Sequence, residues 1–538
     1  MNKFLPLIQV IFLSAGVTCW QIFFQWIEEA DTLFVMNLGK YILEHGFPHV
    51  DPFTIHENLQ LVAQQWLSGV LFWEVYKNFG LDGLLIADGI VGASAVLIYW
   101  RFCLFVSDGN KILSFVMSFV VGLLIAPMIV PRPQILSAVF LLIEVFFLEK
   151  FTRTEDAKFL IPLPLVSLAL INFHAAMWLM SLVVCLPFLF VKNFRHIKFL
   201  LAAMGGIFLF GLINPYGVEA MTYVFRSYGV DIINANIAEM FTPTAHNFQG
   251  KFFYITEALL IFSLARGKVP LRYIFLSGGL TFMTIMHGRN LILFYPIATI
   301  PLAYVWREFS VEKFKSEPPQ MTALLFLLLA ANTVIITAFI QESLEKASLP
   351  LEILFFAAVI FIAYNSLIVK VEGRILHPKI LPKKIFSLFI SLALVSLVFF
   401  AAVADTQQNP PRTYTDAIKF LLRTERPENI SLYVNQGIGG LAGYFGIKYY
   451  IDSRSEVFIA ANNGQKNILE EYLDFKSGKI NYKDFFSRYN FTHIILTSEE
   501  AFIFDELSSD KNFRVIYESE RVEGSKVIRC KVFIKKKD

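Results

Sequence analysis

The sequence predicts a polytopic α-helical membrane protein, with about 13 transmembrane helices and a small C-terminal α/β extracytoplasmic domain. Three observations lead there. Hydrophobic residues make up 56% of the 538 and charged residues only 17%, with a mean hydropathy of +0.56, whereas a soluble domain would carry about a quarter charged residues. Short basic loops recur at regular intervals between apolar segments. After about residue 405 the chain turns charged and alternates strand-like with helix-like patterns. The net charge of +3 is too small to suggest nucleic acid, so the lipid bilayer is the partner that the composition implies.

The basic loops set the orientation. Lys150 to Lys158, Lys192 to Lys198, Arg266 to Arg272, Arg307 to Lys315 and Lys370 to Lys384 all belong in the cytoplasm by the positive-inside rule. Two apolar segments separate each pair, so one topology satisfies all five. The spans fall near 4–26, 81–102, 112–130, 135–149, 159–173, 176–191, 199–214, 252–265, 273–287, 289–306, 321–340, 350–369 and 385–404. The N-terminus is then cytoplasmic, residues 1–404 form the transmembrane domain, and 405–538 lie outside. The first segment ends in acid rather than in small residues of a cleavage site, so it reads as a retained helix and not a removed signal peptide. Cys19, Cys103 and Cys185 sit in apolar segments and only Cys530 in the polar tail, which argues against a disulfide framework.

Two outer loops are long. In the first, 27–80, Leu33, Phe34, Leu38, Tyr41 and Ile42 follow helical spacing until Gly46 and Pro48, and Val62 to Phe79 repeats the pattern with Trp66, Phe72, Trp73 and Tyr76. Aromatic-rich helices of this kind commonly lie in the membrane interface. The second loop, 215–251, is polar with few bases. In the tail, Ser431 to Val434, Lys448 to Ile451, His493 to Leu496 and Val527 to Ile534 read as strands, and Tyr414 to Arg423 and Lys466 to Phe475 as helices.

With topology drawn from Lys and Arg alone, the remaining polar groups fall on one side. Glu28, Glu29 and Asp31 open the first outer loop. Pro131-Arg132-Pro133-Gln134, Asn172-Phe173-His174, Asn214-Pro215-Tyr216 and His287-Gly288-Arg289-Asn290 occupy the next outer turns. Charged and polar groups at span ends are expensive, and five sets at one level point to a site. Asp31, with Glu28 and Glu29 as alternates, is the candidate base. Arg132, His174, His287 and Arg289 are candidates for holding a phosphate, since the arginine fork grips phosphate oxygens bidentately. Asp51, Gln134, Asn172, Tyr216 and Asn290 are candidate substrate contacts. Each has a plainer reading: interface anchors for the arginines, packing for His174, a helix stop at Asn214-Pro215, a turn at Asp51-Pro52. His45, His49 and His56, with Asp51 and Glu57, match no metal-ligand spacing and read as a solvated loop. Gly437-Ile438-Gly439-Gly440 fits no phosphate-binding fingerprint, and Asp452-Ser453-Arg454 reads as a turn or part of an acceptor groove.

These residues also carry a family resemblance. Asp31, then Gly39-Lys-Tyr-Ile-Leu-Glu-His-Gly46, Pro48-His-Val-Asp51-Pro52-Phe53 and Gln65-Trp66-Leu67 resemble the first external loop of bacterial GT-C-type glycosyltransferases, similar in plan to protein O-mannosyltransferases and aminoarabinose transferases. Pro131 to Gln134, Asn172 with His174, Asn214 to Gly217, Arg289-Asn290, Gly439-Gly440 and Tyr450 to Arg454 extend the likeness over nearly the whole chain. The resemblance implies a multi-pass protein of the bacterial plasma membrane, a polyprenyl-phosphate sugar donor, inversion at the anomeric carbon, and an acidic residue early in the first loop, which here is Asp31. Some members use a divalent metal through the same loop, so the resemblance leaves Mg or Mn open. Gln64-Gln65 stands where relatives often place His or an acid, and Glu-Glu-Ala-Asp replaces an adjacent acidic pair.

The function expected is transfer of a sugar from a polyprenyl-phosphate carrier to an extracytoplasmic acceptor, whether glycan, lipid or protein. A carboxylate deprotonates the acceptor hydroxyl while cations hold the leaving phosphate. A transporter or flippase of lipid-linked glycans is the alternative from another class, but it calls for inverted repeats and polar groups at the midplane, and neither is visible in the sequence. A non-catalytic scaffold for envelope assembly has no need of acids opposite arginines.

Overall fold

The computed structural model describes residues 30–191, 193–227, 230–245, 248–266, 269–308, 412–523 and 526–536. The expected spans near 4–26, 321–340, 350–369 and 385–404, the glutamates Glu28 and Glu29, and the domain boundary near 405 lie outside the described residues.

Helix α1, Ala30–His45, begins with Asp31 in its first turn and ends with His45 in its last, both favourable against the helix dipole. It stops at Gly46, whose φ of 86° suits glycine. Leu33, Phe34, Leu38 and Ile42 are buried, as their spacing predicts. Helix α2, Trp66–Val106, is 41 residues long and breaks at Gly80 (φ 68°, ψ −164°), where the aromatic outer helix turns into the following span. It starts at Trp66 rather than Val62 because Gln64 N bonds Val62 O at 2.8 Å and Trp66 N bonds Ala63 O at 3.1 Å, closing a turn first. The two helices cross where Gly39 meets Gly69. A methyl group on Gly39 would lie 2.0 Å from the Gly69 carbonyl, so only a glycine pair permits the approach that positions α1.

The helices that follow are α3 (Lys111–Ile125), α4 (Pro133–Thr154), α5 (Pro162–Phe173), α6 (Phe194–Gly211), α7 (Phe248–Arg266) and α8 (Leu271–Met286). Between α5 and α6 the chain is a broken helical stretch, Ala175–Leu189. After α8 come Leu291–Leu293, a π-turn at Phe294–Ala298 and Ile300–Val305. Among the described residues three helices, Trp66–Val106, Lys111–Met128 and Phe194–Gly211, are long and apolar enough to cross a membrane, with shorter apolar helices at Ala157–Phe173, Ala175–Leu189 and Leu271–Met286. These elements coincide with the expected spans in place, but they do not establish a count of thirteen. Helix α4 is central: Leu141, Leu142, Val145 and Leu148 pack in one cluster with Val96, Tyr99 and Phe102 of α2 and Leu163 and Leu170 of α5. At its basic-loop end, buried Glu149 accepts from Arg153 Nε (3.0 Å), Arg272 Nε (2.8 Å) and Tyr273 Oη (2.7 Å).

The C-terminal part is an α/β unit. Helix α9 (Arg412–Thr424) precedes β1 (Ser431–Tyr433), α10 (Gly439–Tyr444), β2 (Lys448–Tyr449), α11 (Ile468–Lys476), α12 (Tyr482–Arg488), β3 (His493–Thr497), α13 (Ala501–Ser509), β4 (Phe513–Glu523) and β5 (Lys526–Lys535). The sheet order is β2-β1-β3-β5-β4. Strand β1 is parallel to β2 and β3, with Leu432 opposite Tyr449 and His493, and β5 is antiparallel to β3 and β4. Strand β4 escaped the sequence reading because Arg514, Glu518, Glu520 and Arg521 dilute its apolar signal; its long register with β5 supplies what local pattern does not.

This unit docks on the first outer loop. Ile55 N bonds Tyr449 O at 3.0 Å and Gln60 N bonds Asn463 O at 3.4 Å. Asn37 Nδ2 donates to Gly443 O at 3.0 Å, and the hydroxyls of Tyr76 and Tyr444 meet. Within this loop His45, His49 and Glu57 are exposed, as expected of a solvated loop, whereas Asp51 and His56 are not. His56 is buried and its Nε2 bonds Tyr450 O at 2.8 Å.

Candidate active site

The site is built around the N-terminus of α1. Thr32 Oγ1 donates to Pro131 O at 3.0 Å, which fixes the start of α1 against the turn preceding α4. Pro133 opens α4 and Arg132, just before it, has extended backbone (φ −129°, ψ 154°), which is the conformation a residue before proline adopts. The Arg132 side chain is thereby directed at Asp31: Arg132 Nη2 lies 3.0 Å from Asp31 Oδ2, and its Nη1 lies 2.7 Å from Glu239 Oε1. The Asp31 side chain keeps 31% exposure, so the carboxylate is held but reachable.

Glu239 comes from the second outer loop, which folds over the His287-Gly288-Arg289 turn. Gly288 N bonds Phe241 O at 3.0 Å, His287 Nδ1 lies 3.3 Å from Met240 O, and Arg289 Nη1 lies 4.0 Å from Met240 Sδ. Burial alone would raise the Glu239 carboxyl, but Arg132 and Arg289 together hold it below its ordinary value. Asp31, Arg132, Glu239, His287 and Arg289 thus share one face. His174 is buried behind it, with Nδ1 2.8 Å from Ser137 Oγ of α4.

Other expected contacts act as braces. Asn172 Oδ1 accepts from Trp66 Nε1 at 3.0 Å, while its Nδ2 donates to Leu168 O and Ile213 O. Tyr216 Oη donates to Pro48 O at 2.8 Å, and Asn290 Nδ2 to Met283 O at 2.8 Å. Gln134 Oε1 is buried without a hydrogen-bond partner. Asp51 closes the expected turn and also joins a buried ion cluster. It is buried, its Oδ2 accepting from Thr54 N (3.1 Å) and Thr54 Oγ1 (2.8 Å), and its Oδ1 from Arg454 Nη1 (2.6 Å). Arg454 also meets Asp452 at 2.7 Å and stacks 4.0 Å above Phe34. Burial would lower the Arg454 guanidinium, and Asp452 and Asp51 more than reverse it. Asp452-Ser453-Arg454 is therefore an anchor between the domains.

Two further residues escaped the sequence reading. Glu456 of the C-terminal unit accepts from Gln64 Nε2 at 3.0 Å, and Glu239 arrives from a loop noted only as polar. Glu239 meets Arg132 and Glu456 meets Gln64, partners far along the chain, so neither pairing has a local signal in the sequence. As for a metal, Asp31 and Glu239 converge on Arg132, and among the described residues no three His, Cys, Asp or Glu side chains converge on a common point.

An open groove of about 670 Å³ is lined by Trp66, Leu67, Leu168, Asn172, Ile213 and Pro215 among others. It is mainly apolar, and Asn172 leads from it towards His174.

No family model matches the sequence, and a search of curated proteins finds no match. Solved structures do match. ArnT from Cupriavidus metallidurans bound to undecaprenyl phosphate superposes with a TM-score of 0.53 at 12% identity, covering 97% of this chain and 97% of that one. Its apo state gives 0.51 at 11% identity with the same coverage. The Archaeoglobus fulgidus oligosaccharyltransferase in the apo form gives 0.50 at 12% identity, covering 92% of this chain and 70% of that chain. The chain has the GT-C fold. In this GT-C fold the Asp31–Arg132 pair sits where the first outer loop, the α4 turn and the second outer loop converge, with the C-terminal unit packed on the first loop.

Proposed function

We propose that this chain is a membrane glycosyltransferase of the bacterial plasma membrane that moves a sugar from a polyprenyl-phosphate donor to an extracytoplasmic acceptor. In this reading residues 1–404 form the transmembrane domain, with the N-terminus cytoplasmic, and residues 405–538 form an external domain. The observation that carries the proposal is the Asp31–Arg132–Glu239 cluster beside Arg289, at one end of the helices.

Asp31 is the general base. It takes the proton of the acceptor hydroxyl as that oxygen bonds to the anomeric carbon from the side opposite the phosphate. The bond from that carbon to the phosphate oxygen breaks, the electron pair leaves with polyprenyl phosphate, and the configuration inverts. Arg289 and Arg132 stabilise the charge that grows on the leaving phosphate, with His287 and His174 supporting that wall. The groove along Trp66 and Leu168 takes the hydrocarbon tail of the carrier, because its lining offers apolar contact.

Asp31→Asn in purified protein tests the assignment. Transfer should fall by on the order of 10²–10⁴-fold, the usual worth of a positioned base, while protein level and undecaprenyl phosphate binding hold. Full transfer by this variant would remove Asp31 from the role.

A further inference from the structure

Gln64 lies at the meeting point of three parts of the chain. Its backbone carbonyl accepts from Ala175 N at 2.8 Å, next to His174. Its side-chain Nε2 donates to Glu456 Oε1 at 3.0 Å, across 392 residues. Its Oε1 is buried and has no hydrogen-bond partner. The amide orientation follows from the carboxylate, which can accept only from the nitrogen. An orphaned buried acceptor is costly, and in a site it marks where a ligand's donor belongs.

Glu456 is held for the same purpose. It follows Arg454, whose guanidinium is fixed by Asp51 and Asp452, and its own carbonyl accepts from Asn462 Nδ2 at 2.9 Å. Gln436 Nε2 donates to Ser455 Oγ at 2.7 Å, bracing the segment from the other side. Burial raises the Glu456 carboxyl; Arg289 and Arg454 work against that rise, and Asp31 adds to it. Glu456 therefore feels both the candidate base and a candidate phosphate-binding arginine.

We infer that Glu456, delivered by the C-terminal domain, and Gln64, delivered by the first outer loop, form a hydrogen-bond-accepting wall that binds the hydroxyl groups of the sugar acceptor opposite Arg289. The inference rests on the glycosyltransferase reading and adds to it the residues that receive the acceptor. The division of labour follows from charge. Arginines attract the donor phosphate, whereas a carboxylate and an amide oxygen repel phosphate and accept from hydroxyls. Glu456 is thus a specificity residue, and the C-terminal domain completes the site rather than merely covering it.

The test uses full-length protein in nanodiscs, radiolabelled undecaprenyl-phosphate hexose as donor, and a dilution series of cell-envelope extract as acceptor. Glu456→Gln should raise the half-saturating extract concentration by roughly tenfold to a hundredfold, the range for one hydrogen bond to a charged group, with donor half-saturation unchanged. Glu456→Asp should recover part of the loss. Gln64→Met, a substitution outside the C-terminal domain, should shift acceptor saturation in the same direction, so the inference does not depend on one variant folding. Unchanged acceptor saturation in both variants, or equal losses for donor and acceptor, would overturn it while leaving the glycosyltransferase reading intact. A wild-type protein that transfers no hexose to the extract would overturn both.

Discussion

Asp31 and Arg132 meet at 3.0 Å, and the neighbouring pair, Thr32 and Pro131, is joined by a hydrogen bond also of 3.0 Å. The ion pair is therefore flanked by a bond from the Thr32 hydroxyl to the Pro131 carbonyl, and a second carboxylate, Glu239, shares the same guanidinium at 2.7 Å. One planar fork serves two acids.

Arg132→Lys should separate charge from geometry. An ammonium keeps the positive charge but cannot hold two carboxylates and a phosphate in one plane. Transfer is expected to fall by roughly 10–100-fold, with undecaprenyl phosphate binding weakened less than in Arg132→Ala. Equal activity for wild type and Arg132→Lys in a transfer assay would show that only charge matters there.

The domain anchor makes a stability prediction. Arg454→Met strands Asp51 and Asp452 in a buried position, and loss of one member of a buried ion cluster costs about 3–5 kcal/mol. Limited proteolysis should then release the C-terminal domain at lower denaturant concentration than in wild type. Replacing Asp51, Asp452 and Arg454 together by apolar residues of similar volume should return much of the resistance.

The glycine crossing separates two kinds of helical glycine. A methyl group on Gly39 would strike the Gly69 backbone at 2.0 Å, whereas one on Gly278 or Gly279 meets open space. Gly39→Ala should shift α1, lowering both transfer and melting temperature. Gly278→Ala should be neutral, or stabilising by about 0.5–1 kcal/mol through helix propensity. Identical melting curves for the two variants would refute the crossing as a constraint.

His56 gives a pH dependence. Burial first, and Lys466 second, lower its pKa from 6.5 to about 4, against the Tyr450 carbonyl, Asp51 and Glu471. Below about 6.5 an unfolded imidazole binds a proton that the folded one refuses until near 4, so folded stability falls as pH drops through that window. The contribution amounts to roughly 3 kcal/mol at the acid end. Glu500 acts oppositely: burial pushes its carboxyl up to about 7, so its contribution fades as pH rises from about 4.5. The useful quantity is therefore the melting-temperature difference between wild type and His56→Gln. Wild type should lose ground to the variant from pH 7 to pH 4.5, and a constant difference would exclude His56 as the cause.

Much of the helical scaffold was legible because apolar segments in a membrane protein carry their own signal, and the basic loops oriented them without reference to any site. That placed Asp31 and Arg132 on one side before any contact was visible, and the structure joins them directly. Asn172, Tyr216 and Asn290, expected as substrate contacts, also brace the structure through the carbonyls of Leu168 and Ile213, Pro48 and Met283; polarity at a span end does not distinguish a ligand contact from a brace. Glu239 and Glu456 carry no such signal because their partners lie far along the chain, and nothing near them in sequence reports the encounter. Asp51 and His56 looked solvated for the same reason: what buries them is the last quarter of the chain.

The hydrogen bond between Gln64 and Glu456 spans 392 residues, and the ion pair of Asp51 with Arg454 spans 403. This region is therefore complete only when the C-terminal unit meets the first loop. A chain arrested after its first helices already possesses Asp31 and Arg132, yet lacks one whole wall of the cleft.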